Sequence, residues 1–328
     1  MNSHSHNHFD TIYSDYSNAN GSVMFAAHRG NWRRASENSL RSIQSAIDLG
    51  MDIVELDIWK TKDGALVLMH DDTVDRMTNG SGKISELTFQ EIRSLRLKQG
   101  RGGPGASVTD ELVPTLQEAM LLAKDRIMVN LDKCWNIREN VYRVLVETGT
   151  VRQGLFKSDA SIDEVEEFLN GKAERPEFIQ KIQDYQIPAE NEAEFRKLFD
   201  NATGMDEIQA FLSDSAKRAE FLRKVPKANL HMLDQLEQIA TRIKPKAIEV
   251  NFLFSHSKIM DSEVLSRLKS YPFRIWVNTM FAWDCAGHTD DVSLSNPALG
   301  WEWLLNRGAN MILTDYPEDL NRYLKTRK

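Results

Sequence analysis

The chain has 328 residues, 41% hydrophobic and 27% charged, enough to bury one large core or two moderate ones with an ordinary globular composition. A net charge of −7 argues against nonspecific nucleic-acid binding through a basic surface, and the two cysteines, Cys134 and Cys285, cannot form a disulfide framework and have no C-x-x-C spacing. No run approaches the ~18 apolar residues of a membrane span.

Residues 1–22 are polar and rich in Asn, Ser and His, with His4, His6 and His8 alternating, and are expected to form a disordered lead-in. No export signal is visible there; the expectation is a soluble protein, periplasmic or secreted if a signal has been removed and otherwise cytoplasmic. A strand at 24–27 turns at Gly30, and a helix over 39–49, with Leu40, Ile43, Ala46 and Ile47 on one face, stops at Gly50. Strands follow at 53–58 and 65–69. Residues 71–113 then break the rhythm with a turn-rich piece at 78–82, a short helix at 85–95 and a glycine-rich run at 100–105.

The alternation resumes with a helix after Pro114, strands at 126–132 and 153–157, and a helix over 136–148 between them. The stretch 161–225, rich in Glu, Lys and Phe and helical in pattern over 206–222, exceeds a normal crossover and reads as a helical insertion with a weak strand at 178–183. Strands at 247–252, 273–278 and 310–314 follow, each after a helix (233–243, 262–268, 299–305), and a last helix spans 318–324. This is one α/β domain over 23–328, with the rhythm of a TIM (β/α)₈ barrel. Nine strand candidates exceed the eight needed, and 178–183 is assigned outside the barrel.

The chemistry concentrates between 28 and 70. His28 and His70 each leave the end of an apolar strand, and Glu55 and Asp57, two apart, face one side of the sheet. Two like charges on one face call for a positive partner, and a hard divalent cation takes carboxylate oxygens. Read singly, each histidine is more simply a packed or surface residue and the E-x-D pair a solvated strand face. Three strands delivering polar groups to one end is how parallel α/β folds build sites.

The motifs A-H-R-G at 27–30, E-N-S at 37–39, V-E-L-D at 54–57, T-K-D-G at 61–64, M-H-D-D at 69–72, R-M-T-N-G-S-G at 76–82, V-P-T-L-Q-E-A at 113–119, W-V-N at 276–278 and L-T-D-Y-P at 313–317 resemble the glycerophosphodiester phosphodiesterase family. The resemblance implies a TIM barrel with a small insertion after the third strand, where 71–113 sits. It implies metal-dependent hydrolysis of glycerophosphodiesters to an alcohol and sn-glycerol 3-phosphate. His28 and His70 match its catalytic histidines, Glu55 and Asp57 two metal ligands, and Arg29 the arginine that contacts phosphate. The third metal carboxylate lies in an E-x-K pattern on the fourth strand. Here the residues are Asn130-Leu131-Asp132-Lys133-Cys134, so Asp132 is the candidate and Lys133, adjacent to it, serves the phosphate only if the strand has already ended. Glu37 matches a position near the site, as a metal ligand or as the holder of Arg29, while Ser36 and Asn38 beside it also suit a helix cap. Trp276 matches an aromatic position that packs on the alcohol part, with core packing as the competing reading. Asp315 ends the last strand, as a site or a turn residue.

The expected cofactor is one divalent cation, Mg²⁺ or Ca²⁺ ahead of Zn²⁺, because the set is carboxylate without clustered His or Cys. The expected partner is a small phosphodiester, with no nucleic acid. Alternatives are a related phosphodiesterase acting on lysophospholipid or phosphoinositol headgroups, a barrel that binds a phosphorylated ligand after losing catalysis, and an interaction protein using the 161–225 helices.

Overall fold

The computed structural model describes residues 8–183, 232–253, 255 and 257–327. Most of the insertion expected over 161–225, including its helical stretch at 206–222, lies outside the described residues, as do His4 and His6.

Among the described residues, eight parallel strands close a barrel: β1 (Met24–Ala27), β2 (Ile53–Lys60), β6 (Met128–Asp132), β7 (Gly154–Ser158), β8 (Glu177–Gln183), β9 (Ala247–Asn251), β10 (Arg274–Asn278) and β11 (Met311–Thr314). Pairing of Ala26 with Ile53 and of Met24 with Met311 closes the ring on both sides of β1. The strand assigned outside the barrel was the wrong one. β8 pairs in parallel with both β7 and β9, whereas β3 (Leu66–Leu68) pairs antiparallel with β2 and stays outside. The weak pattern at 177–183 is what an interior strand with a charged inward residue, Lys181, looks like.

The β3 geometry matters for the site. β2 overshoots the neighbouring strand by Ile58–Lys60, and β3 returns alongside it, so that the Met69 N–H reaches the Asp57 carbonyl at 3.1 Å. His70 therefore arrives at the barrel mouth on a returning hairpin and not at the end of a parallel strand. The excursion that follows, with α3 (Phe89–Arg93) and a ribbon of β4 (Arg96–Lys98) and β5 (Val108–Leu112), has its own core of Val67, Met69, Val74, Met77, Ile84, Ile92, Leu97 and Val113. It is a small folded unit seated between β2 and β6.

Local signals explain the flanking helices. Ser39 caps α2 (Leu40–Asp48) and Thr115 caps α4 (Leu116–Ala123), each through a capping box, and Gly149 closes α5 (Arg138–Thr148) in a left-handed conformation. Their apolar faces bury Ile43, Ala46, Leu116, Met120, Val141 and Leu145 against the outward side of the barrel. A separate core of Met24, Ala26, Ile53, Met128, Leu155, Ile179, Ala247, Trp276 and Met311 fills the barrel interior.

The lead-in expected to be disordered is ordered from residue 8. α1 (His8–Tyr16) buries Phe9, Ile12 and Tyr16 in that interior core, and the Tyr13 hydroxyl donates to Glu177 at 2.6 Å. Arg274, fully buried, donates to the carbonyls of Asp15 and Ser22 at 2.7 and 2.9 Å and fastens the segment beneath the barrel. The polar composition of 1–22 concealed three large apolar side chains at i, i+3 and i+7, a helical stripe.

Candidate active site

Inward positions change character along each strand. In β2, Ile53 is followed two and four residues later by Glu55 and Asp57; in β6, Met128 by Asn130 and Asp132; in β7, Leu155 by Lys157; in β8, Ile179 by Lys181; in β9, Ala247 by Glu249. Period-two geometry keeps each set on one face, so the carboxyl ends of the strands present a layer of charge above an apolar one.

Carboxylate oxygens of Glu55, Asp57 and Asp132 lie within 4.8 Å of one another. Asp57 and Asp132 are paired in register across β2 and β6, and Glu55 points to the same side. Burial, followed by the charges of Asp57 and Asp132, pushes the Glu55 carboxyl well above the usual carboxylate range. Burial would raise Asp132 too, but Lys157, 3.6 Å away, and Lys181 outweigh it and hold it at about 2. Two buried acids, Glu55 and Asp57, and the half-buried Asp132 converge through oxygen alone and fit a hard divalent cation, whose charge would offset their mutual repulsion.

His28 is buried beside this cluster. Its Nδ1 lies 2.7 Å from Asp315 Oδ1, and Nε2 accepts from Arg29 Nε at 3.2 Å. Burial depresses the imidazole below its ordinary value, against the opposing pull of Asp315. Asp315 is held by the Trp32 indole N–H at 2.8 Å, and its backbone N–H donates to buried Asp290 at 2.8 Å. Asp290 also accepts from Thr279, Trp301 and Thr314, which fixes the end of β11. Asp315 thus holds the Nδ1 side of His28 as well as standing just past the end of β11. His70, a third exposed at its side chain, sets Nδ1 2.7 Å from Asp71 Oδ1, and Asp71 accepts twice from Arg76, at 2.7 and 3.0 Å.

Arg29 adopts a left-handed backbone (φ 55°), rare for a residue with a side chain. The strain is overdetermined. Its N–H donates to Glu55 at 2.9 Å, its Nη1 to Glu37 at 3.0 Å, and its Nε lies 3.6 Å from Asp57. Asn38, also left-handed, both donates to the Asp57 side chain and accepts its backbone N–H. Lys133 meets the condition set for it: β6 ends at Asp132, Lys133 turns with φ 55°, and its ammonium comes to 3.8 Å from Asp57 and donates to the His70 carbonyl. Cys134 is buried and donates to Leu131, away from the carboxylates.

Glu37 has the second of the roles read for it, holder of Arg29: Arg29 donates to Oε2 at 3.0 Å and Arg76 to Oε1 at 2.6 Å, and Glu37 is not among the three clustered carboxylates. Trp276 has no exposed surface: it packs in the interior core and spends its indole N–H on Asn278 at 2.8 Å, so packing accounts for it. Sequence reasoning missed Lys157, Lys181 and Glu249, where Lys157 bridges Asp132 and Glu249 at 3.6 and 2.9 Å and Lys181 lies 3.7 Å from Glu249. Their signal was present, as charged residues at inward positions of otherwise apolar strands. Arg76 and Arg101 carried no such signal, since the excursion alone brings them here.

The chain resembles known proteins in sequence and in fold. A glycerophosphodiester phosphodiesterase of Caldanaerobacter subterraneus is 41% identical over 113 residues, 34% of this chain and 44% of that protein. Glycerophosphodiester phosphodiesterase 1 of Rattus norvegicus is 46% identical over 104 residues, 30% of this chain and 29% of that protein. The chain thus matches less than half the length of these relatives. Among solved structures, a glycerophosphoryl diester phosphodiesterase of Parabacteroides distasonis superposes with a TM-score of 0.63 at 18% identity, covering 97% of this chain and 92% of that one. A phosphodiesterase of Oleispira antarctica, solved with its product sn-glycerol 3-phosphate, gives 0.55 at 19% identity over 93% of this chain and 97% of that one. These two share the fold. The pattern of the glycerophosphoryl diester phosphodiesterase family matches residues 28–319, nearly the whole described barrel, and the chain belongs to that family.

Proposed function

We propose that this chain hydrolyses glycerophosphodiesters to an alcohol and sn-glycerol 3-phosphate, with one divalent cation held by Glu55, Asp57 and Asp132 and with His28 and His70 transferring protons. One observation carries the reading: two histidines, each oriented by its own carboxylate, flank a three-carboxylate cluster at one barrel mouth.

A phosphodiester resists attack because its anionic oxygens repel a nucleophile. When bound, the cation would offset that charge and the further charge that develops in the transition state. Arg29, fixed between Glu37 and Asp57, adds a guanidinium of set orientation, and Lys133 brings an ammonium from the loop. Ionised Asp315 accepts a hydrogen bond from the Nδ1–H of His28, which leaves the lone pair on Nε2; Arg29 donates to that lone pair at 3.2 Å, a contact the attacking hydroxyl must replace. Burial keeps that imidazole neutral, which suits it to remove a proton from the attacking oxygen. Burial would raise Asp71, but hydrogen bonds from His70 and Arg76 hold it well below the usual range, leaving a carboxylate to support a protonated His70. His70, nearer solvent, then gives its proton to the alkoxide released as the P–O bond to the alcohol breaks and is reprotonated from solvent, to which His28 returns the proton it took.

Support for turnover over mere binding comes from the fourth-strand departure: Asp132, shorter than glutamate, still reaches the cluster. The test is a panel of glycerophosphodiesters incubated with Mg²⁺ or Ca²⁺, with sn-glycerol 3-phosphate detected by a coupled dehydrogenase. Its release, lost on chelation and restored by metal, is the expected result. Release of glycerol with a phosphorylated alcohol, or no turnover across the panel, overturns the reading.

A further inference from the structure

The proton carriers sit on different parts of the chain, His28 at the end of β1 and His70 on the hairpin that opens the excursion. A continuous set of charged contacts nevertheless joins them. From His70 it runs to Asp71 (2.7 Å), Arg76 (2.7 Å), Glu37 (2.6 Å), Arg29 (3.0 Å) and the Nε2 of His28 (3.2 Å). A second arm closes a ring. His28 contacts Asp315 at 2.7 Å, Arg101 Nη1 lies 3.8 Å from Asp315 Oδ2, and Arg101 Nε lies 3.8 Å from Glu37 Oε2. The two arms meet at Glu37, whose side chain is fully buried among three guanidinium groups.

We propose that Glu37 is a positioning residue through which the 71–113 excursion sets the geometry of both proton carriers, making the excursion part of the catalytic machinery. This rests on the His28/His70 reading above. Three guanidinium groups repel one another, and one buried carboxylate at their centre holds them together and keeps them pointed. Burial would raise the Glu37 carboxyl, and Arg29 and Arg76 outweigh it, so it stays ionised.

Backbone contacts fasten the same junction. The Glu37 N–H donates to the Gly100 carbonyl at 2.8 Å, Gly103 N–H to the Arg76 carbonyl at 2.8 Å, and Arg76 to the Arg101 carbonyl. Gly102 has φ +64°, and a Cβ there would stand 2.4 Å from the Arg76 carbonyl oxygen, so only glycine lets the loop lie this close. Arg101 is the movable member. Its side chain is 41% exposed, 5.5 Å from the Trp32 ring centre, and both its acidic partners are at 3.8 Å. A substrate phosphate or anionic headgroup entering the mouth would compete for it.

The experiment compares Glu37→Gln, Arg76→Gln and Arg101→Gln with wild type, using three readouts. In the metal-free proteins, the side-chain ¹⁵N resonances of His28 and His70 should move together in Glu37→Gln, although Glu37 touches neither ring. Calorimetric Mg²⁺ affinity should stay near wild type in Glu37→Gln and collapse in Asp57→Asn. In turnover, kcat should fall on the order of 10- to 100-fold for Glu37→Gln and Arg76→Gln with KM little changed, as expected for misplaced groups. Arg76→Gln and Arg101→Gln should combine to less than the product of their separate effects, since both act through Glu37. Arg101, being exposed, keeps the fold intact even if loss of buried Glu37 does not. Histidine resonances unmoved in all three variants, or Mg²⁺ affinity lost in Glu37→Gln as in Asp57→Asn, overturn the proposal. An inactive wild type would overturn the hydrolase reading alone, because the resonances decide the hub without substrate.

Discussion

The two ends of the barrel interior are built on the same strands and do opposite work. At the amino ends, Met24, Ile53, Met128, Leu155, Ile179, Ala247 and Met311 form an apolar layer closed from below by Phe9, Ile12 and Tyr16. Two to four residues further on, the same strands carry His28, Glu55, Asp57, Asp132, Lys157, Lys181, Glu249 and Asp315. The lower end gains stability by removing apolar surface from water, at roughly 25 cal/mol per Å². The upper end buries carboxylates and lysines whose desolvation costs stability unless each finds a partner. A parallel barrel tolerates this because its period-two strands keep the two layers apart by one pleat, so the expensive layer rests on a cheap one.

That division can be broken from either side. The largest effect is expected for His28→Ala and His70→Ala, each lowering kcat for diester hydrolysis on the order of 10²- to 10⁴-fold, with far-UV circular dichroism unchanged; near-normal turnover in either would remove that residue from the mechanism. Next is the opposite lesion. Phe9→Ala should cost about 3–5 kcal/mol, as for other buried phenylalanines, read by urea denaturation, while kcat per folded molecule stays the same. If turnover fell in step with stability, the two ends would not be separable.

Asp315→Asn tests the electrostatics of the upper end. His28 is depressed by burial and partly restored by Asp315, so removing that charge should lower its pKa further. As the base must be neutral, the acid limb of kcat/KM lies below the ordinary histidine value of about 6.5 in wild type and should move to still lower pH in the variant, with reduced kcat. A shift to higher pH would contradict the upward pull assigned to Asp315. The smallest effect is expected for Trp276→Phe: KM within about twofold of wild type and a modest loss of stability, as for a packed aromatic. A large rise in KM would place the indole against substrate after all.

How much of this was legible in the sequence depended on whether the signal was local. The inward pairing of Glu55 with Asp57 follows from period two, and the strand ends at His28 and Asp132 follow from where apolar runs stop. The parallel barrel follows from the alternation of elements, and the family motifs tied these together. Legibility failed where position in space departs from position along the chain. β8 was set aside because its pattern is weak by itself, although β7 and β9 make it obligatory. β3 read as another barrel strand because a returning hairpin strand and a parallel one have the same apolar composition. The lead-in was misread because three apolar residues in a polar segment have value only when a barrel end stands ready to bury them.

What the sequence by itself determined is the set of chemical groups and the element that carries each: the histidines, the E-x-D pair, Asp132, and the strand-helix rhythm that aims them at one end. These are properties of residues close in the chain, fixed by backbone periodicity and hydrophobic pattern. Only the tertiary structure decided which groups meet. Lys133 could turn toward Asp57 because β6 ends one residue earlier, Glu37 holds Arg29 and meets two further arginines, and the excursion brought Arg76 and Arg101 across dozens of residues to that carboxylate. Such contacts depend on loop closure and charge balance over the whole fold, which no local pattern encodes.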